Sequence, residues 1–367
     1  MGAEGQKAAT SAPSTFREEV RSRRGRGAGR IVFLLIAGIS LYILWPSLLK
    51  LFSASPQLLT INPAWFVVML AAEAASFACQ WALIRIALGT RGWFSIAMAQ
   101  IAGNAFSRIV PGGAAAGGAL QYRMLTRSGY EAARVGTALT AASLISTTTV
   151  LALPLLVLPT ILLGAPVPSG LAEAAWLGAG AFCVFVGLGA FLLASDRALC
   201  ALGRALERSL NAVRRRVHAS TIEDLPSRLR RQRDAIRRDL GEDWWKALLA
   251  SAGNWGLDYG ALLGALTAVG ARPRPSVVLL AYVASVVLGM IPITPGGLGF
   301  VEAGLTATLA LAGVSAGDAV LATLAYRLVS YWLPIAAGPV AYWLQSRRRR
   351  AARAAAAAST SAPPARS

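Results

Sequence analysis

Charged side chains are rare inside the apolar segments of this 367-residue chain, and the few present fall at particular places. Glu73 sits within the apolar run 63–88, Asn254 and Asp258 within "GNWGLDYG", and Arg327 within the last apolar run. Glu302 follows a "PGG" at 295–297, and Arg108 precedes another at 111–113. Ionisable groups at membrane depth are costly and face a polar cavity or a partner. Two chemistries fit them. Arg108 and Arg327 can attract a lipid phosphate while Glu73, Asp258 and Glu302 neutralise them or meet a cationic group. Alternatively, the same residues form internal salt bridges, Glu302 to Arg327 for one, that hold two halves together. The two are compatible.

The glycine-proline breaks give these charges a setting. Pro111, Pro292 and Pro295 enforce breaks, and Gly112, Gly113, Gly117, Gly118, Gly296, Gly297 and Gly299 permit positive φ and close approach. Irregular backbone inside a bilayer is tolerated only where it is buried in protein or lines a polar cavity. A helix starting after each "PGG" exposes free N–H groups and the positive end of its dipole, which suits an anionic head-group. The simpler alternative is a tight re-entrant turn with no ligand. Arg123, in "GGALQYRML", follows the first break and is in reach of the same phosphate, whereas Arg85, Arg91, Arg127 and Arg134 read as topology determinants that snorkel to head-groups.

These residues must be positioned by membrane helices. The chain is 55% hydrophobic and 14% charged, with a mean hydropathy of +0.54, which is a membrane composition. A crossing takes roughly 20 residues, and apolar runs of that order lie at 31–52, 63–88, 134–158, 171–194, 244–269 and 318–344. The fold expected is therefore an all-α polytopic membrane protein with about six full spans. Two further stretches, within 94–130 and 276–313, have the length of hairpins but are broken by Gly and Pro, so they are expected to be re-entrant. The run 31–52 follows an Arg-rich segment and is read as a retained anchor rather than a cleaved signal.

The net charge of +19 is concentrated in the N-terminal tail, the 91–134 region, the 196–243 linker and "RRRR" at 347–350, while 53–62 and 159–170 carry none. That asymmetry follows the positive-inside rule and predicts cytoplasmic termini and linker at a bacterial inner membrane. It argues against a nucleic-acid partner. Cys79, Cys183 and Cys200 show no metal or redox spacing, and His218 stands alone. With no Walker A loop, HExxH or GxSxG, no cofactor, metal or catalytic residue is expected.

An internal repeat organises the chain. The two "PGG" elements are 184 residues apart, and at that offset "GYEAARVGTALTAASLIS" (129–146) shares six of eighteen positions with "GVSAGDAVLATLAYRLVS" (313–330). If the N-terminus is inside, 63–88 and its counterpart 244–269 cross in opposite directions, so the repeats are inverted. Inverted repeats with broken helices near the midplane are a construction of secondary transporters. The expected units are a basic N-terminal tail (1–29), a first membrane half (30–195), a linker (196–243), a second half (244–345) and a disordered basic tail (346–367). In the linker, Leu199, Leu202, Leu206, Leu210, Val213 and Val217 fall on one helical face, and a second set follows a break near Pro226. Such Arg-rich helices either lie on anionic lipid or serve as connectors packed on the membrane core.

At "RIVPGGAAAGGALQYRMLTRSGY", "IPITPGGLGFVEAGL" and "LAYRLVSYWLPIAAG" the chain resembles the transmembrane, flippase-like domain of lysylphosphatidylglycerol synthase and the stand-alone UPF0104 membrane proteins. The resemblance implies movement of a phospholipid or a polyprenyl- or hopanoid-type lipid between leaflets. It carries over Pro295, Gly296, Gly297, Gly299, Glu302, Tyr326 and Arg327 from the second element, and Arg108, Pro111, Gly112, Gly117, Gly118 and Arg123 from the first. The full synthase continues into a soluble aminoacyl-transferase domain, so no transferase activity is expected here. Membrane lipids are the expected partners. Two other functions remain: a non-transporting partner of a lipid-modifying enzyme, docked through the linker, and a small-solute or ion-coupled transporter using Glu73 and Asp258.

Overall fold

The computed structural model describes residues 61–110, 113–163, 169–216, 220–221, 223–290 and 295–361, and among them no strand occurs. The expected span at 31–52, the tail 1–29 and His218 lie outside the described residues. The chain is an all-α polytopic membrane protein.

Helix α1 (Pro63–Leu88) has the limits expected from sequence, because both ends are written locally. Asn62 caps the start, its side chain accepting from the Ala64 N–H at 3.0 Å, and Pro63 opens the first turn. Gly89 closes the helix in the left-handed conformation, φ 58°. After α1 come α2 (Phe94–Ile109), α3 (Gly113–Thr126) and α4 (Ala132–Ala152). A 3-10 turn and the short α5 (Leu158–Leu162) precede α6 (Ser169–Ala194). The linker forms α7 (Asp196–Arg216) and α8 (Leu225–Leu240). The second half repeats the first order: α9 (Trp244–Ala268), α10 (Pro275–Met290), α11 (Phe300–Leu311), and α12 (Ala316–Arg327), which continues through a π-helical turn (Leu328–Trp332) into α13 (Leu333–Ser361). Helices α4 and α12 start at Ala132 and Ala316, 184 residues apart, as the repeat requires.

Four stretches are long and apolar enough to cross a bilayer: 63–88, 132–156, 172–194 and 316–351. Helix α9 has the length, 25 residues, but Lys246, Asn254 and Asp258 lower its hydropathy. At 16, 14, 16 and 12 residues, α2, α3, α10 and α11 are short. Even 16 residues span only about 24 Å, less than a hydrocarbon core of about 30 Å.

The repeat helices α1 and α9 pack along each other in opposite directions. Met69 lies over Gly264, the Ser76 hydroxyl donates to the Asn254 carbonyl at 2.8 Å, and Cys79 lies over Gly253, so rising numbers on one helix meet falling numbers on the other. Each repeat then has its own apolar core. One gathers Leu83, Ile84 and Leu88 with Ile96, Leu125 and Val135 and takes in Ala247 from the start of α9. The other gathers Leu262, Leu266, Val278, Leu305 and Ala322 and takes in Met69 from the first half of α1. This reciprocal exchange is what inverted repeats produce. Outside both cores, α6 exposes Trp176, Leu177, Val184, Leu188 and Phe191, as a lipid-facing span does.

The break expected near Pro226 falls between α7 and α8, and Pro226 itself lies in the first turn of α8, where a missing N–H costs nothing. One local expectation is corrected. Residues 346–361, expected as disordered tail, continue α13 as helix, since an Ala- and Arg-rich run has high helix propensity once a helix leads into it. The linker itself docks. Gln232 Nε2 donates to Thr140 Oγ1 at 2.8 Å, Arg237 donates to the Leu193 carbonyl at 2.6 Å, and Ile236 and Leu240 pack on the first core. Of the predicted leucine face on α7, Leu199 is buried, whereas Leu202, Leu206 and Leu210 are exposed.

Candidate functional site

The crossing of α1 and α9 carries the first part of the site. Glu73 is buried, and its Oε2 faces no hydrogen-bond donor. Its carboxyl lies near that of Asp258, one turn from Asn254 on α9, close enough for the two to interact electrostatically. Asp258 is oriented by two phenols from the second repeat. Tyr282 on α10 donates to Oδ2 at 2.6 Å, and Tyr326 on α12 donates to Oδ1 at 2.9 Å. Hydrogen bonds to an ionised acceptor are about twice as strong as neutral ones, so this carboxylate ties α9, α10 and α12 together. Asn254 is engaged by Ser76 and serves the helix crossing.

The second break supplies the other part. Pro295–Gly297 form one 3-10 turn, and Gly296, Gly297 and Gly299 have φ of 61°, 70° and 78°. Gly296 is required twice over, because a Cβ there would also meet the Tyr331 hydroxyl. Glu302, in the first turn of α11, reaches back to accept from the Gly299 N–H at 2.6 Å, half of a capping box. Its other oxygen accepts from Arg327 Nε and Nη2, both at 2.8 Å. Arg327 Nη2 also donates to the Gly296 carbonyl at 3.5 Å, and the guanidinium lies 4.0 Å from the centre of the Tyr331 ring. The internal salt bridge expected between Glu302 and Arg327 is therefore present. It fastens the break to α12.

Arg108 joins the two breaks. It leaves the last turn of α2, where Val110 turns extended and Gly113, φ 45°, restarts the chain as α3. Its Nη1 donates to the Ser330 carbonyl at 2.5 Å, its guanidinium lies 4.9 Å from the Tyr331 ring centre, and its own carbonyl accepts from the Tyr331 hydroxyl at 3.3 Å. Ser330 and Tyr331 belong to the π-helical turn, an element often found at functional sites. Among the described residues, no carboxylate comes within ion-pair distance of Arg108. It is a cation held by a carbonyl and an aromatic ring, with Arg327, Glu73 and Asp258 near enough to be felt electrostatically.

The structure thus gathers Glu73, Asp258, Tyr326, Arg108, Arg327, Glu302 and Gly296 into one seam between the repeats. Arg123 is not in it; it is exposed at the end of α3. Gly117 packs against Gly103 of α2, and Gly118 lines a separate cavity. Pro111 and Gly112 lie outside the described residues. Sequence reasoning missed Tyr282, Ser330 and Tyr331 as members. Tyr282 was detectable as the lone tyrosine in an otherwise apolar α10; the roles of Ser330 and Tyr331 depend on the π turn, which leaves no sequence signal.

Fold and seam define a polytopic α-helical integral membrane protein with a charged interior. Residues 30–338 match the family model for the lysylphosphatidylglycerol synthase TM region, and the chain belongs to that family. A UPF0104 membrane protein of Methanothermobacter thermautotrophicus is 33% identical over 91 residues, 25% of this chain and 26% of that protein. A UPF0104 membrane protein of Pyrococcus horikoshii is 34% identical over 86 residues, 23% of this chain and 26% of that protein. The chain thus covers about a quarter of the length of these curated relatives. Neither name carries an activity.

Proposed function

We propose that this protein carries the polar head of a phospholipid or polyprenyl- or hopanoid-type lipid between leaflets through the seam between its repeats, without ATP. Arg108 carries the reading. A guanidinium at membrane depth whose direct partners among the described residues are a carbonyl and a ring retains its charge and draws an anion, and a lipid phosphate fits it. Arg327, pinned by Glu302 and Tyr331, is the second cation a phosphate would meet, beside the break that it fastens through Glu302 and the Gly296 carbonyl. The family description, the membrane region of a lipid synthase, supports a lipid as the cargo. The distribution of basic segments supports cytoplasmic termini and a cytoplasmic linker at a bacterial inner membrane. In liposomes with a fluorescent phospholipid, Arg108→Gln should slow translocation at least about tenfold with thermal unfolding unchanged, and Arg108→Lys should retain part of it. Wild-type rates in Arg108→Gln would sink the reading.

One observation favours a second role. The exposed Leu202, Leu206 and Leu210 on α7 offer a face to a lipid-modifying enzyme. Replacing all three with Gln should release such a partner while leaving translocation intact.

A further inference from the structure

A cavity of about 220 Å³ opens inside the first repeat, between α1, α2, α3 and α4. Its polar lining is Gln80, Gln100, Asn104, Ser107, Gln121 and Ser143, and no lining residue is charged. Gln80 Oε1, Asn104 Oδ1 and Gln121 Nε2 are buried there without a hydrogen-bond partner. Buried polar groups in native proteins are nearly always paired with protein, water or ligand, so three orphaned amide groups around one void mark a place for something that both donates and accepts. An ammonium or a phosphate would find no counter-charge in it, and an acyl chain would leave the amides unsatisfied. A hydroxylated neutral group answers them all. At roughly 30 Å³ per water molecule, the void equals several waters and holds a glycerol or a single sugar ring. The cavity also lies beside the seam: Asn104 is four residues before Arg108 on α2, about 6 Å along the axis.

We infer that this cavity seats the uncharged, hydroxyl-bearing end of the lipid head-group while Arg108 holds its phosphate. The inference rests on the translocation reading for its cargo but is tested by binding alone. Gly118 gives the test its variant: it is helical, and a Cβ built there meets nothing within 4 Å, so Gly118→Leu grows into free space without backbone strain.

The experiment is native mass spectrometry of the full chain in an amine-oxide detergent, which carries no sugar or polyol. Phosphatidylinositol and phosphatidylglycerol are compared with phosphatidic acid and phosphatidylethanolamine of the same acyl chains. The hydroxylated pair should be retained several-fold over the other pair. Gly118→Leu, and separately Gln121→Leu, should bring them level while phosphatidic acid binding and the unfolding temperature stay as in wild type. Equal retention of all four lipids by the wild type would show a water-filled cavity and overturn the assignment, as would a preference that survives Gly118→Leu. Excess free glycerol should not displace phosphatidylinositol; displacement would assign the site to a soluble polyol instead and equally overturn it. Selective binding without translocation would leave this site standing and remove the transport reading.

Discussion

The two broken hairpins, α2–α3 and α10–α11, share a "PGG" break and a place in the repeat, yet their interiors differ. In the first, α2 carries Gln100, Asn104, Ser107 and Arg108, and its Gly103 meets Gly117 of α3 backbone to backbone beside a polar cavity. In the second, α10 is apolar except for Tyr282 and two serines, and the hairpin is closed by Leu288 over Gly304. Its polar interaction sits at the break itself, where Glu302 binds both Gly299 and Arg327. One backbone device thus serves two ends: the first hairpin holds open a polar space and sends its cation across to the other repeat, and the second locks its own break with an ion pair. A duplicated fold keeps the break because the bilayer punishes unpaired backbone in either copy. It leaves the side chains free to diverge.

Substitutions can break this contrast, and the largest effect is expected at the lock. Arg327→Ala leaves the half-buried Glu302 with the Gly299 N–H but without its cation, and should cost about 2–3 kcal/mol, read from thermal unfolding in detergent. The double variant Arg327→Met with Glu302→Leu should recover most of that stability while translocation stays lost. A double variant no more stable than Arg327→Ala would show that the pair is not the lock. Next comes the small-residue contact. Gly117→Ala sets a methyl against the Gly103 carbonyl and should cost about 1–3 kcal/mol by overpacking, whereas Gly304→Ala meets only the flexible end of Leu288 and should cost well under about 1 kcal/mol on the same scale. Equal losses would erase the difference between the hairpins.

The breaks themselves separate by less. At Gly113 only the positive φ opposes a side chain, about 1–2 kcal/mol, while Gly296→Ala adds a clash with Tyr331 and should be the worse of the two. Tyr282→Phe removes a hydrogen bond to the Asp258 carboxylate, worth about 1.5–3 kcal/mol, and should loosen the second repeat alone, measured as faster hydrogen exchange in α10. The smallest effect lies in the linker. The Arg233 guanidinium hydrogen-bonded to Asp196 holds that carboxyl below the usual carboxylate range. A carboxyl depressed in the folded state stabilises above its unfolded pKa, near about 3.9, and loses that contribution as pH falls through the folded value. Protection of the α7 amides, corrected for the pH dependence of intrinsic exchange, should therefore be flat from about pH 6 to 8 and fall only below about pH 4. A change near neutrality would contradict the pairing.

Much of this was legible in the chain. Asn62, Pro63 and Gly89 mark the ends of α1 because capping is local chemistry, and the 184-residue offset announces the repeat because each copy must break its hairpin in the same way. Charges placed in apolar runs pointed to Glu73, Asp258, Glu302, Arg108 and Arg327. The Glu302–Arg327 pair was legible too, but the other partnerships were not: Tyr326 and Asp258 are 68 residues apart and Arg108 and Ser330 are 222 apart, so only packing brings them together. The end of α13 shows the opposite error, where low hydropathy was read as disorder although an alanine run suits a helix.

By itself, then, the sequence determined a polytopic helical protein, two matched breaks and a short list of costly charges, since helix length, chain breakers and the price of burying charge are set residue by residue. Only the tertiary structure decided that α1 and α9 pack directly against each other, that Arg108 is held by a carbonyl and a ring of the other repeat, and that four glutamine and asparagine side chains surround a void. Those are properties of distances between elements far apart in the chain, and no local pattern encodes them.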